Sequence, residues 1–122
     1  MEAINMIQNR RSVNHFDPAR KLDDETIKKI IDLAVHAPSA YNLQPWRIIV
    51  VQSDEAKEKF WNLAYKQPKI KDAAANLIIV GNKNGWDKEN PVWNEMLQSV
   101  GGKTEIVEGA QKGTAYSYGS TE

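Results

Sequence analysis

Pro38-Ser39-Ala40-Tyr41-Asn42-Leu43-Gln44-Pro45 runs without a break into Trp46-Arg47-Ile48-Ile49-Val50-Val51. The first part lies between two prolines and has no hydrophobic period, so it reads as a loop. The second part is a β-branched run with few polar breaks, which predicts an interior strand covered on both faces. A polar loop that opens directly into a buried strand places hydroxyls and carboxamides at the mouth of a sheet. The rest of the chain is read outward from that junction.

Upstream, Ile27, Ile30, Ile31, Ala34 and Ala37 recur at helical spacing, which predicts a helix over Asp24 to Ala37. Asp23 suits its N-cap, Leu22 and Ile27 stand at the two positions of a hydrophobic staple, and Pro38 marks its end. Before it, Glu2 to Asn9 reads as a short helix and Arg10 to Lys21 as a loop, with Pro18 disfavouring helix at Asp17. Downstream, Ser53 can cap a helix from Asp54 to about Tyr65, which Pro68 interrupts. Leu77-Ile78-Ile79-Val80 then reads as a second buried strand closed by Gly81. Strand, helix and strand fit a parallel crossover or an antiparallel return equally well. Asn84-Gly85 is a turn signal, and Asn90 and Pro91 suit N-cap and N1 of a helix carrying Trp93, Met96, Leu97 and Val100.

Residues 1–100 therefore form the domain. Residues 101–122 hold five of the seven glycines and only two branched aliphatic residues, Ile106 and Val107. They read as a mobile or partner-dependent tail.

Composition narrows the chemistry. The chain has 122 residues, enough for one domain that buries roughly 65% of its unfolded surface. Sixteen basic residues balance sixteen acidic ones, which argues against general nucleic-acid binding. The chain has no cysteine, which excludes disulfides, thiol nucleophiles, iron–sulfur clusters and Cys-bound zinc. His15 and His36 are spaced like no standard zinc pair. No signal peptide or membrane-spanning run is visible, so the expected compartment is the cytoplasm.

Two loops can carry chemistry. Arg10-Arg11-Ser12 offers two guanidiniums and a hydroxyl, a set that binds phosphate, although a solvated loop after a helix has the same composition. Ser39 to Gln44 offers a hydroxyl, a phenol and two carboxamides, which can pair with a polar heteroaromatic edge or simply satisfy the loop's own backbone.

In order, Arg10-Arg11-Ser12-Val13-x-x-Phe16-Asp17-Pro18, a helix, and Ala37-Pro38-Ser39-Ala40-x-Asn42-x-Gln44-Pro45-Trp46-Arg47-Ile48-Ile49-Val50 resemble the N-terminal half of the FMN-dependent nitroreductase family. The likeness runs from about Ile4 to Gly81. It implies an α+β fold, a mostly antiparallel sheet wrapped by helices, incomplete because the family's C-terminal half is lacking. It implies a homodimer with FMN at its interface and NADH or NADPH as hydride donor. The electron acceptor would be a nitroaromatic, a quinone or a similar small molecule, with neither nucleic acid nor membrane as partner. Arg10, Arg11 and Ser12 would hold the FMN phosphate and ribityl chain, and Pro38, Ser39, Asn42 and Gln44 would lie against the ring. No side chain need act as a catalytic nucleophile, and no metal is implied.

The chain departs from the family in three ways. Asn14 stands where a second basic residue is usual. Lys66-Gln67-Pro68 stands for Asn-Gln-Pro, and the family's second half has no counterpart. A shortened, inactive remnant or an interaction module that keeps the N-terminal fold is the alternative.

Overall fold

The computed structural model describes residues 2–119. Its elements in chain order are α1 (Ala3–Asn9), α2 (Asp24–Ala34), a single 3-10 turn (Ala40–Asn42), β1 (Trp46–Val51), α3 (Asp54–Leu63), α4 (Pro68–Asp72), β2 (Asn76–Gly81), α5 (Val92–Ser99) and α6 (Thr104–Gly119). The two strands pair with each other. The Asn82 N–H beyond the end of β2 donates to the Pro45 carbonyl before the start of β1. The end of one strand therefore meets the beginning of the other, and the ladder is antiparallel.

β1 occupies the predicted residues, but neither strand is covered on both faces. Burial alternates along each: Trp46, Ile48, Asn76 and Ile78 are half-buried, whereas Ile49 is 50% exposed and Ile79 72%. Among the described residues there is no third strand. A continuous apolar run keeps its second face in solvent unless another layer packs on it.

The chain forms two compact units. The first comprises residues 1–23 and 50–77. There Ser53 caps α3 as predicted, its Oγ accepting from the Ala56 N–H at 3.2 Å. Pro68 does not merely interrupt the chain. It opens α4, because its missing N–H and fixed φ suit a first helical turn. Lys57 on α3 is 4% exposed, and its ammonium donates to the carbonyls of Lys71 and Ala73, each at 3.1 Å. The end of α4 is thereby pinned to α3.

The second unit comprises residues 24–49 and 78–122. α2 ends a turn before Ala37, where His36 and Ala37 make tighter i→i+3 bonds to Leu33 and Ala34. Leu43, Val92, Trp93 and Val107 form the core, with Trp86, Met96, Leu97 and Val100 packed around it. Pro91, not Asn90, holds the N-cap position of α5; Asn90 Oδ1, one residue earlier, accepts from the Val92 N–H at 3.0 Å. The glycine-rich segment read as a tail contains α6, the longest helix among the described residues; its last residues, 120–122, lie outside them. Gly101 and Gly102 adopt φ of 66° and 78°, and the Gly102 N–H donates to the Leu97 carbonyl at 2.8 Å. These glycines end α5 rather than loosen the chain. Gly113 lies where α6 meets Tyr41: a Cβ there would stand 3.3 Å from the tyrosine hydroxyl.

Candidate functional site

The Arg10 to Ser12 loop belongs to the first unit. It begins where α1 ends, with the Arg10 N–H bonded to the Met6 carbonyl. Arg10 Nη1 reaches Ser12 Oγ at 3.3 Å, so guanidinium and hydroxyl stand side by side in solvent. Arg11 turns back instead, donating from Nη1 to the carbonyls of Gln8 at 2.9 Å and Arg10 at 3.0 Å. The structure thus brings Arg10 and Ser12 together and spends Arg11 on carbonyls at and beyond the end of α1.

The Pro38 to Gln44 loop belongs to the second unit. Pro38 precedes a Ser39 in extended backbone with φ of −131°. Tyr41, Asn42 and Gln44 then take left-handed φ of 54°, 55° and 46°. Each such non-glycine residue costs on the order of 1 kcal/mol, least for asparagine. The loop is held against that cost at both ends. Ser39 Oγ accepts from the Gln44 N–H at 3.0 Å, and the Leu43 N–H donates to the Ala40 carbonyl at 3.1 Å. Leu43 is 3% exposed within the core, and Asn90 Nδ2 donates to its carbonyl at 3.3 Å.

Gln44 Nε2 donates to Asn42 Oδ1 at 3.2 Å. That leaves the Asn42 amide nitrogen as a donor and the Gln44 oxygen as an acceptor. Such a pair complements a ring edge that carries both a carbonyl and an N–H.

The same two carboxamides line an open cavity of about 390 Å3. Arg47 from β1, Asn84 and Asp87 from the segment between β2 and α5, and Glu95 from the first turn of α5 line it too. Asn84-Gly85 signals a turn and Asn90 a cap, and no more. Nothing local says that this turn folds back against residue 44; Asn90, bonded to both Leu43 and Gly85, makes it do so. Among the described residues no group of His, Asp and Glu is arranged to hold a metal ion. No helix among them is long and apolar enough to cross a membrane.

The chain belongs to the nitroreductase family, whose model matches residues 7–116. It is 37% identical over 92 residues to the CLA biosynthesis enone reductase of Lactiplantibacillus plantarum, covering 74% of this chain and 42% of that protein. It is 30% identical over 92 residues to the major NAD(P)H-flavin oxidoreductase of Aliivibrio fischeri, covering 71% of this chain and 42% of that protein. A structure from Exiguobacterium sibiricum, solved in complex with FMN, shares the fold with a TM-score of 0.78 at 23% identity. It aligns with all of this chain and 59% of its own. The chain spans less than half the length of the two curated relatives.

Proposed function

We propose that this chain is an FMN-dependent NAD(P)H oxidoreductase of nitroreductase type. In this reading it passes reducing equivalents to a small nitroaromatic, quinone or similar acceptor in the cytoplasm as a homodimer. The observation that carries the reading is the pairing in each loop of groups suited to one part of the cofactor. Arg10 and Ser12 stand 3.3 Å apart, a charged fork beside a hydroxyl, which suits the oxygens of a phosphate. Asn42 and Gln44 present one free donor and one free acceptor, which suits the imide edge of the flavin's pyrimidine ring. The donor set therefore fits the group that the family resemblance implies, and the A. fischeri relative is named for flavin chemistry.

When bound, the flavin supplies the redox chemistry. The chain's own residues bind and orient. Arg10 offsets phosphate charge, Ser12 and Ser39 offer hydroxyls, and the left-handed backbone at Tyr41, Asn42 and Gln44 fixes the carboxamides before the ligand arrives. Pro38 limits the freedom of that loop at its entrance. Arg11, bound to carbonyls, has the lesser role.

The test is flavin retention. The purified full chain is incubated with FMN, freed of unbound flavin by gel filtration and read by its visible spectrum. Replacing Arg10 and Ser12 together by alanine is expected to weaken retention by about tenfold or more, the worth of one lost charge-assisted contact. Arg11→Ala is expected to leave it within about threefold, since its guanidinium is engaged elsewhere. Equal retention without Arg10 and Ser12 would refute the phosphate assignment. A colourless protein would select the second reading, a flavin-free interaction module, which the exposed Ile49 and Ile79 favour.

A further inference from the structure

The residues on either side of Asn42 both reach toward α6. Leu43 shares a buried cluster with Val107 of that helix. Tyr41 brings its hydroxyl to the same helix at Gly113, so close that a Cβ there would stand 3.3 Å from the oxygen. Val107 and Gly113 lie about 9 Å apart along the helix axis. The loop is thus braced against α6 at two separated points, and the left-handed residues Tyr41 and Asn42 lie at the bend. Toward α5 the tyrosine borders an open cavity of about 310 Å3 rather than packed side chains, so its firm support is on the α6 side.

Two glycines stand inside α6, and they differ. Nothing lies within 4 Å of where a Gly109 Cβ would be, whereas Gly113 meets the Tyr41 hydroxyl. A glycine inside a helix weakens it relative to alanine. At Gly113 that cost makes room for the tyrosine. Thr114, the next residue, is fully buried, so α6 cannot roll away from the contact without opening its own packing. Only two torsions separate a tyrosine ring from its backbone. Displacing the hydroxyl therefore turns the ring or moves the backbone that leads into Asn42.

We infer that Tyr41 is a positioning residue: seated against Gly113, it works with Leu43 to fix Asn42, and through it Gln44, in the ligand-ready arrangement. α6 is thereby a working part of the site although it supplies no ligand-binding group to it. The flavin as that ligand rests on the function proposed above; the brace rests on Tyr41, Leu43 and Gly113 alone.

Gly113→Ala and Gly109→Ala make the same helix change at a braced and an open position. The FMN affinity of the full chain is measured by fluorescence titration, and its thermal midpoint is followed by circular dichroism. Gly109→Ala is expected to raise the midpoint by about 3 °C and leave affinity within about twofold. Gly113→Ala is expected to weaken affinity by about fivefold, the worth of one misaligned hydrogen bond, without lowering the midpoint. Adding Tyr41→Phe removes the atom that the new methyl meets. The double variant is expected to bind within about twofold of Tyr41→Phe alone. Should Gly113→Ala fold poorly, Tyr41→Gly tests the brace from the loop: it accepts the left-handed backbone without strain yet is expected to weaken FMN by about fivefold.

Gly113→Ala with unchanged affinity would overturn the inference, as would a loss that Tyr41→Phe does not rescue or a Tyr41→Gly variant that binds as before. Amide NMR of the flavin-free chain separates this from the cofactor reading. Gly113→Ala should shift the Asn42 and Gln44 amides and Gly109→Ala should not, whether or not FMN is retained; equal effects of the two would refute the brace.

Discussion

At Tyr65 the backbone turns left-handed with φ of 53°, and at Lys66 it does so again with φ of 54°. Neither residue favours that conformation, whereas asparagine is enriched in it. Tyr65 is 94% exposed, so its side chain gives almost nothing in return. Tyr65→Asn is therefore expected to raise stability by about 0.5 to 1 kcal/mol, read from the urea midpoint at constant slope. Glycine would gain less, because it adds freedom to the unfolded chain. Lys66 is a different case: its ammonium lies 5.4 Å from the centre of the Trp61 ring, so Lys66→Asn exchanges strain relief against a cation–π contact and should gain less than Tyr65→Asn. A fall in stability for Tyr65→Asn would show that the turn is not strained. The resemblance places asparagine at position 66, and this backbone gives the physical reason that residue suits it. Legibility at this scale follows side-chain chemistry. Arg10, Ser12, Asn42 and Gln44 could be picked out because their groups suit a ligand. That Arg11 folds back onto carbonyls beside Arg10 could not be, because two adjacent arginines carry the same local signal.

Between elements, the contact with the most at stake is a single lysine. Lys57 is buried between α3 and α4, and its ammonium serves the carbonyls of Lys71 and Ala73. Asp54 stands 3.7 Å from it but is itself 94% exposed, so the ion pair contributes little. Lys57→Met keeps the apolar stem and removes the donor, leaving two helix-end carbonyls unserved. A loss of about 2 to 3 kcal/mol is expected, with early exchange of the α4 amides by hydrogen exchange. A loss below about 0.5 kcal/mol would mean that water serves those carbonyls equally well. Both strands and most helices are legible from periodicity and caps, because those signals are local. Two are misread for one reason. Pro68 signals an interruption and the glycines of residues 101–122 a tail, but a proline also opens a helix and a glycine also closes one. α6 has weak apolar periodicity, and it is helical with Val107 and Thr114 buried against neighbours that its own sequence does not announce.

For the molecule as a whole, much apolar surface stays open: Ile4, Ile7, Leu33, Leu63 and Ile79 are each more than 60% exposed. Among the described residues both outer strand edges are unpaired and one sheet face is largely exposed, and such surface draws a second layer or a second chain. Periodicity could not reveal this, because an apolar run looks the same whether its cover comes from the same chain or another. A homodimer, which the family resemblance implies, is the proposed cover. Sedimentation velocity of the full chain is expected to show a dimer at micromolar concentration. Ile79→Lys is expected to weaken it by about tenfold or more, since a lysine on an apolar interface must be desolvated without a partner. Its far-ultraviolet circular dichroism should not change, because Ile79 points away from its own chain. A monomer at the highest soluble concentration would sink the dimer, as would a dimer indifferent to Ile79→Lys at this face. Either outcome would rule out a second copy of this chain as the cover of the open face of β2.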